Sequence, residues 1–264
     1  MDSTSQGNPL QPADRDYVSA LASGLDIIMA FDNAHPRMTL SEVAERTGMN
    51  RAKARRFLLT LHALGYVYKE QRYFELAPKV LQLGYSYLAS NNHRSVIQKF
   101  LERITAQCGE SSSLGVLDGD EVIYLARSSA PHRLMAITLS VGTRLPAAHT
   151  SMGRVLLAQL SNKELDTYLN NLPLKRYTDK TIIDTLTLKN CIKKVRKQGY
   201  AIVDQELDSG LRSLAVPAFD ANGKLLGAIN ISTNAVRVNI STLLKTYLPI
   251  LQETASEIRT SITS

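Results

Sequence analysis

The sequence predicts an α+β chain with an N-terminal winged helix-turn-helix, a linker helix, and a larger C-terminal domain built on a mainly antiparallel sheet. Three observations carry this. Two helical patterns meet at a tight glycine turn, Thr47-Gly48-Met49. Directly behind them the apolar period falls from helical to two around a polar tip. Beyond residue 92, hairpin signals and amphipathic helices come in blocks rather than in strict alternation.

Residues 1–13 are polar and read as a disordered leader, without the basic start and apolar stretch of a signal peptide. The winged helix-turn-helix is assigned to residues 14–77. From Asp16 to Phe31 the residues Val18, Leu21, Leu25 and Ile28 recur at helical spacing. Asp32 to Pro36 breaks that helix. Thr39-Leu40-Ser41-Glu42 then reads as a capping box, in which hydroxyl and carboxylate satisfy each other's orphan backbone donors. Asn50 caps the second helix of the pair, which runs to Gly65. Tyr66-Val67-Tyr68 and Tyr73-Phe74-Glu75-Leu76 are strands around the tip Lys69-Glu70-Gln71-Arg72, and a hairpin in this place is a wing. Residues 78–92 form the linker helix, with Pro78 in its tolerant first turn and Asn91-Asn92-His93 as the boundary.

Residues 93–264 form the second domain. Ser95 to Cys108 is amphipathic through Ile97, Leu101, Ile104 and Cys108. Ser112 to Leu117 and Glu121 to Ala126 are strands split by Asp118-Gly119-Asp120, a strong hairpin signal, and Leu134 to Val141 is another. Helices follow over Thr150 to Leu160, Ser161 to Leu172 (with a second capping box, Ser161 and Glu164) and Thr187 to Gln198. Strands return at Tyr200 to Glu206, Arg212 to Phe219 and Leu225 to Ser232. A last helix covers Ile240 to Ile262, with a kink expected at Pro249.

Hydrophobic residues at 44% and charged residues at 21% exclude a disordered chain. Lys and Arg outnumber Asp and Glu by 31 to 24, and the net charge of +7 favours polyanionic partners without specifying a fold. Cys108 and Cys191 are too few for a zinc motif or disulfide framework and read as buried thiols. No apolar run is long enough to span a bilayer, so the expected location is cytoplasmic.

The helix after Asn50 carries the sharpest functional signal. Phe57, Leu61 and Leu64 share its apolar face, with Ala54 and Leu58 beside them, while Arg51, Lys53, Arg55 and Arg56 crowd the first two turns without an acid. Such a helix suits the major groove, where Arg reads a guanine edge or holds a phosphate. A charge run alone is usually a solvated face. Here the cap, glycine turn, cations and wing occur in register, which favours double-stranded operator DNA. Asn50, Arg51, Lys53, Arg55 and Arg56, with Lys69 and Arg72 on the wing, are the candidate contacts.

At this point the residues resemble the IclR-type transcription regulators. The resemblance covers almost the whole chain except the leader. It rests on Leu40-Ser41-Glu42-Val43-Ala44-Glu45-Arg46-Thr47-Gly48, on Leu61 through Gly65-Tyr66, on Val141 to Pro146 followed by Thr150-Ser151-Met152-Gly153-Arg154, and on Gly210 to Pro217. Asp16-Tyr17-Val18, Leu83 to Leu88, Tyr124 to Ser128 and Val203 to Leu207 are closer to the β-ketoadipate-pathway branch, the regulators of protocatechuate and 4-hydroxybenzoate catabolism. The family implies a linker helix used in dimerisation, hence a homodimer or dimer of dimers. It also implies a GAF-like effector domain with a curved antiparallel sheet. The branch implies an aromatic or keto acid effector and often activation, with RNA polymerase as a further partner.

Carried over by position, Ser151 and Met152 would line the effector loop, Leu211 and Ser213 the strand after Gly210, and Asn230 and Ser232 the last strand. Asn230 and Ser232 share one sheet face. The bulk of Met152 stands where relatives carry a small residue. Arg127 and Arg133 are the candidates for holding a carboxylate in bidentate fashion, while Arg144 is expected to brace the chain entering the next helix. The rival class, an enzyme, finds little support. His149 lies near Ser151 without a Gly-x-Ser-x-Gly elbow, and Asp204, Glu206 and Asp208 read as solvated turn acids. His132 and His149 are not at ligand spacing with any Cys, so neither metal nor cofactor is expected. The remaining alternative, a ligand-independent repressor or architectural protein, would leave the C-terminal domain without a role.

Overall fold

The computed structural model describes residues 12–90, 93–130 and 139–262. It divides into two compact units, Met1–Ser90 and Asn91–Ser264. The first unit holds α1 (Ser19–Met29), β1 (Arg37–Thr39), α2 (Leu40–Thr47), α3 (Arg51–Ala63), β2 (Val67–Glu70) and β3 (Tyr73–Leu76). The Thr39–Glu42 capping box opens α2, and Gly48 closes it at φ 64°, a left-handed conformation that glycine adopts without strain. The Asn50 side chain accepts from Lys53 N at 2.8 Å and so starts α3 only three residues later. Ile27, Met38, Val43, Leu58, Leu61, Val67 and Phe74 close the core between helices and wing.

Two details depart from the sequence expectation. The wing sheet has three strands in the order β1-β3-β2, with Met38 paired to Phe74. Three residues are too few to show a two-residue period, so β1 is specified by its partner rather than by its own pattern. On α1, Ser23 and Ile27 turn inward, while Val18, Leu21, Leu25 and Met29 stay exposed, Met29 by 70%. Apolar residues occupy most of this helix's circumference, so periodicity alone does not select the packed face. A 3-10 turn, Pro78–Val80, leads into α4 (Leu81–Ser90), where Leu81, Leu83, Tyr85 and Tyr87 are exposed.

The second unit runs through α5 (Arg94–Cys108), β4 (Ser111–Asp118), β5 (Glu121–Ser128), β6 (Arg144–Pro146), α6 (Ser151–Leu157), α7 (Asn162–Asn171), α8 (Thr185–Gln198), β7 (Ala201–Asp204), β8 (Leu211–Phe219), β9 (Leu225–Asn234), α9 (Ile240–Thr242) and α10 (Leu248–Ser261). Its six-stranded sheet has the order β6-β5-β4-β9-β8-β7 with every pairing antiparallel. Bulges at Leu114/Gly115 and Ala218/Phe219 bend it. Helices cover both faces. Ile229 and Ile231 join Leu101, Ile104, Leu251 and Ile258 in one core, and Ala228 on the opposite face joins Met152, Val155, Leu157 and Leu188 in the other. The alternation along β9 therefore turns Asn230 and Ser232 toward α6.

The expected strand at Leu134 to Val141 lies mostly outside the described residues, as do Arg133 and His132. The expected helix at Thr150 to Leu160 is shorter, because Ala158 caps α6. At Pro249 the chain avoids the clash of a helical proline by opening a π turn over Leu243–Tyr247, which leaves the proline in the first turn of α10. Among the described residues, no helix is long and apolar enough to cross a membrane.

Candidate functional site

The unit built on the helix pair presents α3 to solvent. Ala54, Leu58 and Leu61 are buried, and Arg51, Lys53, Arg55 and Arg56 are exposed. None of these four cations makes an ion pair with a described residue. Lys53 lies 6.0 Å from the Phe57 ring centroid, along the edge of the packed face. On the wing, Lys69 is exposed, and Arg72 donates to the Tyr73 hydroxyl at 3.0 Å while its guanidinium stacks on that ring. Arg37, unnoticed in the sequence, stacks on the same ring at 4.8 Å and pairs with Glu70. The Asn50 side-chain oxygen accepts the cap bond, and its amide nitrogen is a donor for another contact.

In the second unit, two rows of side chains cross the α6 face of the sheet. Arg127, Ser113 and Asn230 stand opposite one another on β5, β4 and β9, and Ser111, Ser232, Ser213 and Val203 on β4, β9, β8 and β7. A small cleft lies over these rows. Val203, Ser213, Asn230, Ser232, Leu211, Tyr124 and Leu145 line it from the sheet side. His149, Thr150 and Ser151 line it from the start of α6, and Glu206 and Leu207 from the β7–β8 turn.

The polar groups here are incompletely satisfied. Asn230 Nδ2 donates to Ser232 Oγ at 3.1 Å, leaving Asn230 Oδ1 buried without a partner. Ser151 Oγ, His149 Nδ1 and Arg127 Nε are buried and unpartnered as well. Arg127 is half-buried and donates through Nη1 to Ser113 Oγ at 3.1 Å, yet no described carboxylate pairs with it. Burial pulls its guanidinium below the ordinary value, an effect that the neighbouring Tyr124 opposes. Burial also pushes the Tyr124 phenol up to about 12, so its O–H is a neutral group at the cleft wall.

Two expectations are corrected. Met152 does not line the cleft. Its side chain is buried in the core against Gly115, where even an added Cβ would lie 3.2 Å from its Sδ, so its bulk does not narrow the cavity. Glu206 is not a solvated turn acid. The Thr178 and Thr181 hydroxyls bond to the carbonyls of Gln205 and Glu206, both at 2.6 Å, and fold that turn under the loop. Arg154 then pairs with Glu206 at 2.5 Å, both side chains buried. Burial works against ionisation of this carboxyl, but the approach of His149 and the Arg154 guanidinium hold it below the ordinary glutamate value. Asp204 likewise pairs with Arg212 at 2.7 Å. Arg144, on the chain that enters the next helix, ties that chain to the β4–β5 hairpin through Asp118 and Glu121. His149 and Tyr124 line the cleft without having been expected there. Neither carries a sequence signal that separates it from a core residue. Among the described residues no cluster of three His, Cys, Asp or Glu could hold a metal.

A winged helix with an exposed cationic helix face, in one chain with a sheet domain that carries a polar cleft, defines an effector-responsive DNA-binding regulator. The chain belongs to the IclR family: residues 20–71 match the IclR helix-turn-helix domain, and residues 85–260 match the bacterial transcriptional regulator IclR C-terminal domain. It is 45% identical over 238 residues to the Pca regulon regulatory protein of Pseudomonas putida, covering 90% of this chain and 82% of that one. A solved transcriptional regulator from Rhodococcus sp. RHA1 is 47% identical with a TM-score of 0.79, covering 92% of this chain and 97% of that one. The inducer-binding domain of the PobR transcription factor from Acinetobacter, a double mutant in complex with 3-hydroxybenzoic acid, is 34% identical with a TM-score of 0.60 over 64% of this chain and 98% of that one.

Proposed function

We propose that this regulator activates genes of aromatic-acid catabolism when a small aromatic or keto carboxylate occupies the α6-face cleft. Protocatechuate, 4-hydroxybenzoate and β-ketoadipate are the candidate effectors. The observation that carries the reading is Arg127, a half-buried cation in the same cross-strand row as Ser113 and Asn230, with an unpartnered buried Nε and no carboxylate among the described residues paired with it. A buried charge is stable only when paired, and a guanidinium fork matches a carboxylate. Ser151, Ser213, Asn230 and Ser232 line the cleft and supply neutral bonds to the effector. The relative with 3-hydroxybenzoic acid in its inducer-binding domain supports the ligand class.

The same reading places Arg51, Lys53, Arg55 and Arg56 on operator DNA, with Lys69 and Arg72 of the wing on its backbone. The exposed Leu81, Leu83, Tyr85 and Tyr87 of α4 favour a homodimer, because a wet apolar surface of this kind marks an interface. RNA polymerase would be the partner in activation, the setting would be the cytoplasm, and no catalytic role is assigned. Calorimetric titration of the whole chain with the three acids tests the effector. One of them binds saturably, and Arg127→Ala weakens it about 10- to 100-fold through loss of a charged hydrogen bond. Binding of none of the three, or unchanged affinity in the variant, refutes it.

A further inference from the structure

The titratable pair of the cleft lining, His149 and Glu206, lies toward its β7 side, whereas Arg127 is not among the lining residues. Arg127 stands on β5, and Glu206 follows β7, with three strands of the sheet between them. At the Glu206 end, His149 is only 3% exposed, and its Nδ1 lies 3.7 Å from Glu206 Oε2. That separation is too long for a direct hydrogen bond. It is nevertheless short enough for one oxygen to sit about 2.8 Å from both atoms. Both residues line the cleft, so such an oxygen can arrive on a ligand. Ser151 Oγ, buried and unpartnered two residues along the chain, faces the same space.

The two flanking atoms decide what the oxygen must be. Glu206 is an anion held by Arg154 at 2.5 Å and only accepts hydrogen bonds. In the tautomer that turns its N–H toward this acceptor-only oxygen, His149 Nδ1 is a donor. A group that fits between them must accept once and donate once. A carboxylate cannot donate and is repelled, and a keto oxygen satisfies His149 but leaves Glu206 without a donor. A hydroxyl satisfies both.

We infer that His149 and Glu206 form a hydroxyl-reading subsite, so that the effector is a hydroxylated aromatic acid bound with its ring hydroxyl between His149 and Glu206. This deepens the effector reading above and rests on it. His149 is then the specificity-determining residue. Arg154 is a positioning residue that holds Glu206 ionised without touching the ligand.

The test is calorimetric titration of the whole wild-type chain with 4-hydroxybenzoate, 3-hydroxybenzoate, benzoate and β-ketoadipate. A site built to bond a hydroxyl rejects the analogue lacking it, so one hydroxybenzoate binds tighter than benzoate by about 100-fold or more. His149→Phe, shown by thermal unfolding to be folded, narrows that ratio below about tenfold by losing affinity for the hydroxybenzoate and not for benzoate. If that variant fails to fold, the wild-type comparison still decides, and Ser151→Ala is the second variant, expected to narrow the same ratio. Equal binding of benzoate and both hydroxybenzoates means that water fills the gap and overturns the inference alone. Tighter binding of β-ketoadipate than of either hydroxybenzoate overturns it while leaving Arg127 as the carboxylate partner. Binding of none of the acids overturns the effector reading, and this inference with it.

Discussion

Gly153 is the position at which a single methyl group should do most damage. It sits in the first turn of α6, where all seven helical residues are buried. A Cβ built there would lie 2.0 Å from the Ala147 carbonyl oxygen and 2.4 Å from Ala147 C and Cα. Real Cβ contacts essentially never fall below 3.0 Å, so backbone must separate by about 1 Å. By contrast, a Cβ at Gly115 would meet side-chain methyls of Val122 and Met152, which can turn aside. Overpacking costs about 1–3 kcal/mol when side chains yield, and the rigid obstacle at Gly153 puts Gly153→Ala at about 3 kcal/mol or above. For a domain of this size that corresponds to a fall in Tm of roughly 6–12 °C. The same movement displaces His149 and Ser151 from the cleft, so effector affinity falls with it. Differential scanning calorimetry of the whole chain resolves the transition of the second unit, and near-ultraviolet circular dichroism checks its packing. A Tm within about 2 °C of wild type would show that the turn before α6 yields freely, and the account of how the cleft is positioned would fail.

Arg55→Ala or Arg56→Ala should weaken operator binding by about 1–3 kcal/mol if the contact is to a base edge, measured by fluorescence anisotropy at fixed salt. Retention of full affinity in both variants would remove the recognition-helix assignment. Glu206 makes stability depend on acid. Its folded-state value lies below the ordinary 4.5, so its stabilisation is complete above that pH and fades as pH falls through the folded value. Glu206→Gln strands the buried Arg154 and should cost about 3 kcal/mol at neutral pH. The gap to wild type then shrinks below pH 4.5, and a gap independent of pH would contradict the ion-pair account. Light scattering of the whole chain at micromolar concentration should give a dimer or larger, and Tyr85→Ser with Leu81→Ser should lower that mass. A wild-type monomer in the presence of operator disposes of the α4 interface.

Much of the DNA-binding unit was legible because its signals are local. The Thr39–Glu42 capping box, the Asn50 cap and the left-handed Gly48 each involve residues within four positions of one another, and their chemistry is written in consecutive letters. The exposed cations of α3 follow from helical pitch once those ends are known. The alternation of β9 likewise puts Asn230 and Ser232 on one face of the sheet, and Ile229 and Ile231 pack on the other. What only the tertiary structure decided is contact between distant segments. Met152 turns into the core because Gly115, on a strand far earlier in the chain, leaves room for it. Glu206 is buried because hydroxyls from Thr178 and Thr181 fold its turn inward, against the local rule that alternating acids at a strand end face water. The packed face of α1 was equally open, since Val18, Leu21 and Leu25 satisfy the helical period as well as Ile27 does. Sequence period fixes which residues share a side; which side is dry, and which charges meet there, depends on segments that the period does not describe.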